Sequence, residues 1–384
     1  MISRREFAHI SLSAGAVAGS AGAVAGCRRQ RGDGYNGYAF VANQDGKAVA
    51  AVDLTAFAVA KHIALGDSPT EILAHPSKPL IYALAPASGK IYEIDAAKLS
   101  VTKKLWLGGE ATTMLTEPGG GCIWVLSGPG KRLLRVAFDP LRVTSAIRLT
   151  GSVTAFDVGA YYSNGDWIGQ AAVADGRAGT VVLLNLKTGH SGKVAELGGE
   201  LGSIRFRSDG RSVLVASRER QQLTVVDSPG GGIVVRLPLA VRPDHFCFHP
   251  NGGQLFITGE GRDAVVVVFP YYVPEVAETV LAASRPGAMA ATYSHLFVTS
   301  PQAGDVSILD ITRRRVMAVT AVGAGPGYVA VTPDSEYALV LNESSGDMAV
   351  IRVAGLRPGR SKTAALFTMI PVGSRPVSAA VTSV

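Results

Sequence analysis

The stretch "RPDHFCFHP", residues 242 to 250, places His245, Cys247 and His249 at every second position. Alternate residues of a β-strand point to one side, so two imidazoles and a thiol would there form a donor set of the kind that binds zinc. The same residues could serve catalysis, or could belong to one strand of a repeat. Other chemistry-bearing residues are sparse. His62 and His190 have no partner histidine. No G-x-S-x-G, H-E-x-x-H or phosphate-cradling glycine loop supports hydrolytic or nucleotide chemistry. The absence of C-x-x-C and C-x-x-C-H excludes covalent c-type haem and a zinc knuckle at the motif level.

What positions these residues is a repeat. "YAFVAN", "LIYALA", "CIWVLS", "GQAAVA", "SVLVAS", "QLFITG", "HLFVTS" and "YALVLN" are short apolar runs of strand composition. Aligned on Phe40, Tyr82, Trp124, Ala172, Leu214, Phe256, Phe297 and Leu339, they are spaced by 42, 42, 48, 42, 42, 41 and 42 residues. A second strand follows each run, as in "AVAAVD" and "DVSILD". Several of these end in Asp or Asn (Asp53, Asp95, Asn185, Asp227 and Asp310), which close the next turn by bonding their own backbone. A third and a fourth strand complete the period. Four strands per 42 or so residues predict an all-β fold, a β-propeller with one four-stranded blade per repeat.

The best-kept pieces, "YAFVANQDGKAVAAVDL", "VGAGPGYVAVTPDSEYALVLN" and "VGSRPVSAAVTS", resemble the YVTN family of propellers, although the tetrapeptide itself is degenerate in every copy. Unit 1 begins at Tyr38 without its inner strand, and the chain ends on an inner strand, "RPVSAAVTSV", with no outer strands after it. Together they complete one blade, so the N- and C-terminal strands pair to close a ring of eight. Seven blades, the commoner number in that family, is the alternative. Two places break the period: "YYSNGDWIG" (161 to 169) and "GLRPGRSKTA" (355 to 364). Insertions on one face of a repeat array often reach toward a binding surface.

The alignment also divides the opening stretch. His249 shares a column with His75, Glu117, Arg207, Thr292, Thr332 and Thr382, a mixture that does not suggest a ligand. Cys247 falls with Leu73, Leu115, Arg205, Ala290, Ala330 and Ala380, a wall-packing position. No metal site is therefore assigned. His245 belongs to a column of Glu71, Thr113, Ala155, Ser203, Ala288, Tyr328 and Ser378, where the chain turns into an inner strand and so should line the channel mouth. Three positions earlier stand Ser68, Glu110, Ser152, Glu200, Arg242, Arg285, Gly325 and Arg375. Varied polar residues converging on a concavity suit a small ligand. The candidate ligand-binding residues are Glu71, Thr113, Ser203, Arg242, His245, Arg285, Tyr328, Arg375 and Ser378, with no catalytic residue assigned.

The chain has 384 residues, 47% hydrophobic and 17% charged, with 45 Gly and 20 Pro, enough for one large β-domain. Of the net charge of +7, +3 lies before Tyr38, where five arginines oppose only Glu6 and Asp33, and the remaining +4 is spread over a large body, so nucleic-acid binding has little electrostatic support. "SRREF", with Arg4 and Arg5, resembles a twin-arginine export signal. "AVAGC" resembles a bacterial lipobox in which Cys27 is lipidated. The organisation is then an export signal over 1–27, a polar tether over 28–37 and a single propeller over 38–384. The resemblance implies a periplasmic or cell-surface protein, lipid-anchored to a bacterial membrane, with Arg28 after the cysteine pointing to the outer membrane. Cys122 and Cys247 fall three repeats apart and are read as two buried thiols, not a disulfide.

Three functions fit this reading. The first is a monomeric binding module that holds a protein, peptide, glycan or small molecule at the channel mouth and needs no cofactor. The second is a periplasmic redox protein holding a modified haem. Twin-arginine cargo often carries a cofactor, and eight-bladed propellers of periplasmic nitrite reductases hold such a group. His245 would be the axial ligand of a non-covalent tetrapyrrole, and Arg242, Arg285 and Arg375 would meet its carboxylates. The third is a lactone hydrolase, as in some similar propellers. It is disfavoured because Glu71 and His245 lie four blades apart and cannot act on one another. The first is preferred.

Overall fold

Each period of the sequence forms one antiparallel sheet of four strands, and eight such sheets make the propeller. The computed structural model describes residues 34–128, 131–163, 165–282, 284–356 and 365–384. The export signal with Arg4 and Arg5, the lipobox Cys27 and most of the second insertion lie outside the described residues. Blade 2 shows the plan: β4 (Glu71–Ala74) is innermost, followed outward by β5 (Leu80–Ala85), β6 (Lys90–Asp95) and β7 (Ser100–Trp106). The two middle strands are buried on both faces, which is why they read as continuous apolar runs, and the outer strand is largely open to solvent. The Asp and Asn that end the second strand of the sequence unit, the third counted outward from the channel, accept backbone N–H bonds in the following turn. Asp53 takes those of Thr55 and Ala56 at 2.7 and 3.1 Å. Asp95 takes those of Ala97 and Lys98 at 3.0 and 2.9 Å.

Closure follows the expected scheme. Blade 1 consists of β1 (Tyr38–Asn43), β2 (Ala48–Asp53) and β3 (Ala58–Ala64), and its inner strand is β32 (Pro376–Thr382) from the end of the chain. β1 and β32 are antiparallel from Tyr38↔Thr382 to Asn43↔Pro376. Residues 34–37 lie against this blade: the Tyr35 N–H donates to the Leu54 carbonyl at 3.2 Å, and Tyr35 packs on the core between blades 8 and 1.

The apolar interior is divided into eight cores, one at each blade interface. The largest fully buried side chain, Trp124, fills the one between blades 3 and 4. Radial sheets can bury apolar surface only against the next blade, so the cores need a closed ring. No helix among the described residues is long and apolar enough to cross a bilayer.

Candidate functional site

The inner strands set the lining of the channel by alternation. After β4 they are β8 (Ala111–Thr116), β12 (Val153–Ser163), β16 (Leu201–Phe206), β20 (Arg242–Phe248), β24 (Met289–Ala291), β28 (Pro326–Val331) and β32. One set of side chains, including Ile72, Met114, Phe156 and Ile204, packs back on the preceding blade. The other set, which includes the His245 column, turns toward the channel and the following blade. A register shift stands just before the column residue in five blades, for example between Pro243 and His245 and between Pro326 and Tyr328, and in blade 5 it encloses Ser203. A bulge re-aims the side chain that follows it.

Much of the column reaches forward to latch the next blade. The Tyr328 hydroxyl donates to the Ala379 carbonyl at 3.0 Å, and Ser378 Oγ accepts the Ile72 N–H at 3.3 Å. Glu71 Oε2 accepts the Met114 N–H at 2.7 Å and a hydrogen bond from Thr113. The Ser203 hydroxyl donates to the Asp244 carbonyl. Glu71 with Thr113, Ser203, Tyr328 and Ser378 therefore carry hydrogen bonds that hold the ring at four different points around it.

The His245 side chain makes no hydrogen bond among the described residues. The inner strand of the next blade, β24, has only three residues. Between blades 6 and 7 this leaves a cavity of about 640 Å³ at the mouth, lined by Asp244, His245, Glu260, Arg262, Asp263, Arg285 and Gln302 among others. Crowding by the channel walls lowers the His245 pKa, Arg218 reinforces that, and Asp244 opposes it. The imidazole is thus neutral at pH 7, with nitrogen lone-pair capacity facing the channel. Arg218 bridges Asp244 at 3.0 Å and Glu260 at 3.6 Å, offsetting two acids on the rim. Asp263 accepts the Arg285 backbone N–H at 2.8 Å. The side chains of Arg262 and Arg285 form no ion pair among the described residues.

The arginine column divides as well. Arg242 is exposed, opposite Glu260 across the blade 6 hairpin. Arg375 lies between blades 8 and 1, with Asp45 at 4.0 Å and Glu343 at 3.8 Å. Arg285 and Arg375 adopt φ of 47° and 52°, and Gly325, the equivalent residue of blade 8, has φ 68°. Glycine takes this conformation freely, whereas arginine does so at a cost that the mouth retains twice. Of the nine residues read from the sequence, His245 and Arg285 line one cavity, Arg375 lines another with Glu343 and Ser374, and the rest lie elsewhere around the ring.

Cys247 and His249 belong to the blade. Cys247 packs on the core between blades 6 and 7, and burial pushes its thiol up to about 12. His249 uses both ring nitrogens, Nδ1 with Asn251 at 2.6 Å and Nε2 with the Tyr293 carbonyl at 3.0 Å, so it joins blade 6 to blade 7. Cys247→Ala should cost about 1 to 2 kcal/mol through lost packing. Urea denaturation would show this as a lower midpoint at unchanged slope, with any ligand of the mouth still bound.

Two residues deeper in the channel escaped the sequence reading. Asp157 accepts the Phe206 N–H at 2.6 Å, latching blade 4 to blade 5. Arg205 is exposed in the channel and acts electrostatically on both Asp157 and Glu71. Burial nevertheless raises the pKa of each carboxyl, more than Arg205 and the backbone bonds lower it. Asp157 stands two positions after Ala155 and so falls in the column of Leu73, Leu115, Arg205 and Cys247. Asp157 and Arg205 are the two charged members of a column that is apolar in the other blades, and their charge in that company was the available signal.

No family model matches the chain, and no curated protein matches it by sequence. Similarity is found among solved structures. The dihydro-heme d1 dehydrogenase NirN in complex with DHE superposes with a TM-score of 0.69 at 14% identity, covering 91% of this chain and 75% of that one. Apo AztD from Citrobacter koseri gives 0.66 at 12% identity, covering 90% and 97%. Kuenenia stuttgartiensis hydrazine synthase gives 0.54 at 15% identity, covering 74% and 96%. What this chain shares with them is the β-propeller fold.

Proposed function

We propose that this protein is a non-catalytic binding protein that takes a small organic anion at its channel mouth, in the cavity between blades 6 and 7. One observation carries the reading: a neutral His245 with open nitrogens shares that cavity with Arg262 and Arg285, whose guanidinium groups lack ion-pair partners among the described residues. A guanidinium binds a carboxylate in bidentate fashion, and a neutral imidazole adds a directed donor or acceptor. The acids that would repel an anion are engaged, Asp244 and Glu260 with Arg218 and Asp263 with the Arg285 backbone. With the resemblance of "SRREF" and "AVAGC" to export and lipobox motifs, the binding would occur in the periplasm or at the cell surface, with Cys27 as the anchor.

A second reading, a tetrapyrrole bearing carboxylates, is favoured by His245 itself, since a neutral imidazole is the form that ligates iron. The donor set fits: His245 would hold the metal, and Arg262 and Arg285 the peripheral carboxylates. An iron tetrapyrrole supplies one-electron chemistry when bound. The likeness to a heme d1 dehydrogenase is compatible with this reading.

The test is native mass spectrometry and an absorption spectrum of protein purified from its own host. A retained small anion without a Soret band supports the first reading, and a Soret band the second. His245→Ala and Arg285→Ala should each weaken retention at least about tenfold, with the melting temperature nearly unchanged. A ligand retained equally by both variants would show that it binds elsewhere.

A further inference from the structure

The extra residues of blade 4 lengthen the hairpin of β12 with β13 (Asp166–Asp175), at the face opposite the mouth. Tyr162 and Trp167 are cross-strand partners in this extension, with ring centroids 5.1 Å apart and planes at 70°. An edge-to-face pair steadies a hairpin. Yet Tyr162 remains 63% and Trp167 49% exposed, so much of their ring surface is left for another partner. A cavity of about 470 Å³ lies between this hairpin, Pro118 of blade 3 and the turn after β16 in blade 5.

The charged groups of the cavity are Asp157, Arg207, Asp209 and Arg211. Arg207 grips Asp209 in bidentate fashion, at 2.9 and 2.7 Å, and its guanidinium lies 4.6 Å from the Tyr271 ring centre. Arg211 differs. It forms no ion pair among the described residues. Its Nη2 donates to the Tyr162 carbonyl at 3.0 Å, and its guanidinium lies 5.9 Å from the Tyr161 ring centre. The close approach of turn and hairpin holds it there: at Gly210, φ +67°, a Cβ would stand 1.9 Å from the Ala160 carbonyl oxygen.

We propose that this cavity is a second binding site, for a saccharide that carries a carboxylate, of the uronic acid type. A pyranose ring has a flat face of C–H bonds that rests on an aromatic surface, and a rim of hydroxyls that need charged hydrogen-bonding partners. Trp167 and Tyr162 supply the surface. The Arg207–Asp209 pair offers a donor and an acceptor side by side, matching neighbouring hydroxyls, and the unpaired Arg211 meets the carboxylate. The site lies on the other face from His245 and does not depend on the mouth.

Calorimetric titration of the full chain with tetragalacturonate and with cellotetraose tests this. The uronate should bind and the neutral tetramer should bind much more weakly. Trp167→Ala should weaken uronate binding at least about tenfold, and Trp167→Tyr, which keeps a ring in the hairpin, should retain most of it. Arg211→Gln should bring the uronate down to the level of cellotetraose. Trp106→Ala, at the exposed end of β7, and His245→Ala should leave uronate affinity unchanged, which separates this site from the mouth. No uronate binding, equal binding of both sugars, or uronate binding untouched by Trp167→Ala would each overturn the proposal.

Discussion

Deleting residues 376–384 should produce a protein that aggregates or melts about 10 °C or more below the full chain. The segment is β32, and its loss removes the whole β1–β32 ladder from Tyr38 to Asn43. That exposes an edge of six backbone positions on blade 1. Ala379 leaves the core between blades 8 and 1, and Val377 and Ala380 leave the packing between blades 1 and 2. Two latches go as well: the Tyr328 hydroxyl loses the Ala379 carbonyl, and the Ile72 N–H loses Ser378 Oγ. Leaving buried polar groups unpaired adds to the lost apolar burial. Scanning calorimetry with light scattering would measure both outcomes. A truncated chain as stable as the parent would mean that the ring does not depend on this strand.

Replacing Glu71 by Gln and Asp157 by Asn together should raise the melting temperature at pH 7.5 and flatten its dependence on pH. Burial raises the pKa of both carboxyls in the folded protein. An acid whose folded pKa lies above its unfolded value binds its proton more tightly when folded, so the wild-type chain gains stability as pH falls through the raised pKa values. The gain levels off below the ordinary carboxylate range of about 4. Above the raised values both groups are charged in an enclosed channel, and the contribution is lost. The amides keep an oxygen to accept the Met114 and Phe206 N–H groups while removing the charge. Arg205 is exposed, so its charge stays solvated without them. A melting profile from pH 4.5 to 8 in wild type and double variant checks the sign. A double variant less stable than wild type at pH 7.5 would show that attraction to Arg205 outweighs burial.

The 42-residue spacing was enough to place every blade, because a radial sheet has one solution to burying both faces and each strand's apolar run marks where it lies. Terminal closure was legible for the same reason: a missing inner strand at Tyr38 and a surplus one at Val384 leave two edges that only each other can pair. The separate roles of His249 and Cys247 were also legible, since their columns hold residues that pack or cap turns in other copies. Which column residues meet one another was decided by the tertiary structure. Glu71, Ser203, Tyr328 and Ser378 read as one polar ring, but each spends its hydrogen bond on the next blade, a contact between residues 41 or more positions apart. His245 is left open where it faces β24, an inner strand of only three residues, a property of the neighbouring blade and not of His245's own repeat. The cavities at the mouth and beneath the blade 4 hairpin arise in the same way. A repeat prescribes what each blade shares, whereas a site forms where adjacent copies fail to match, and that mismatch is settled only when the blades pack side by side.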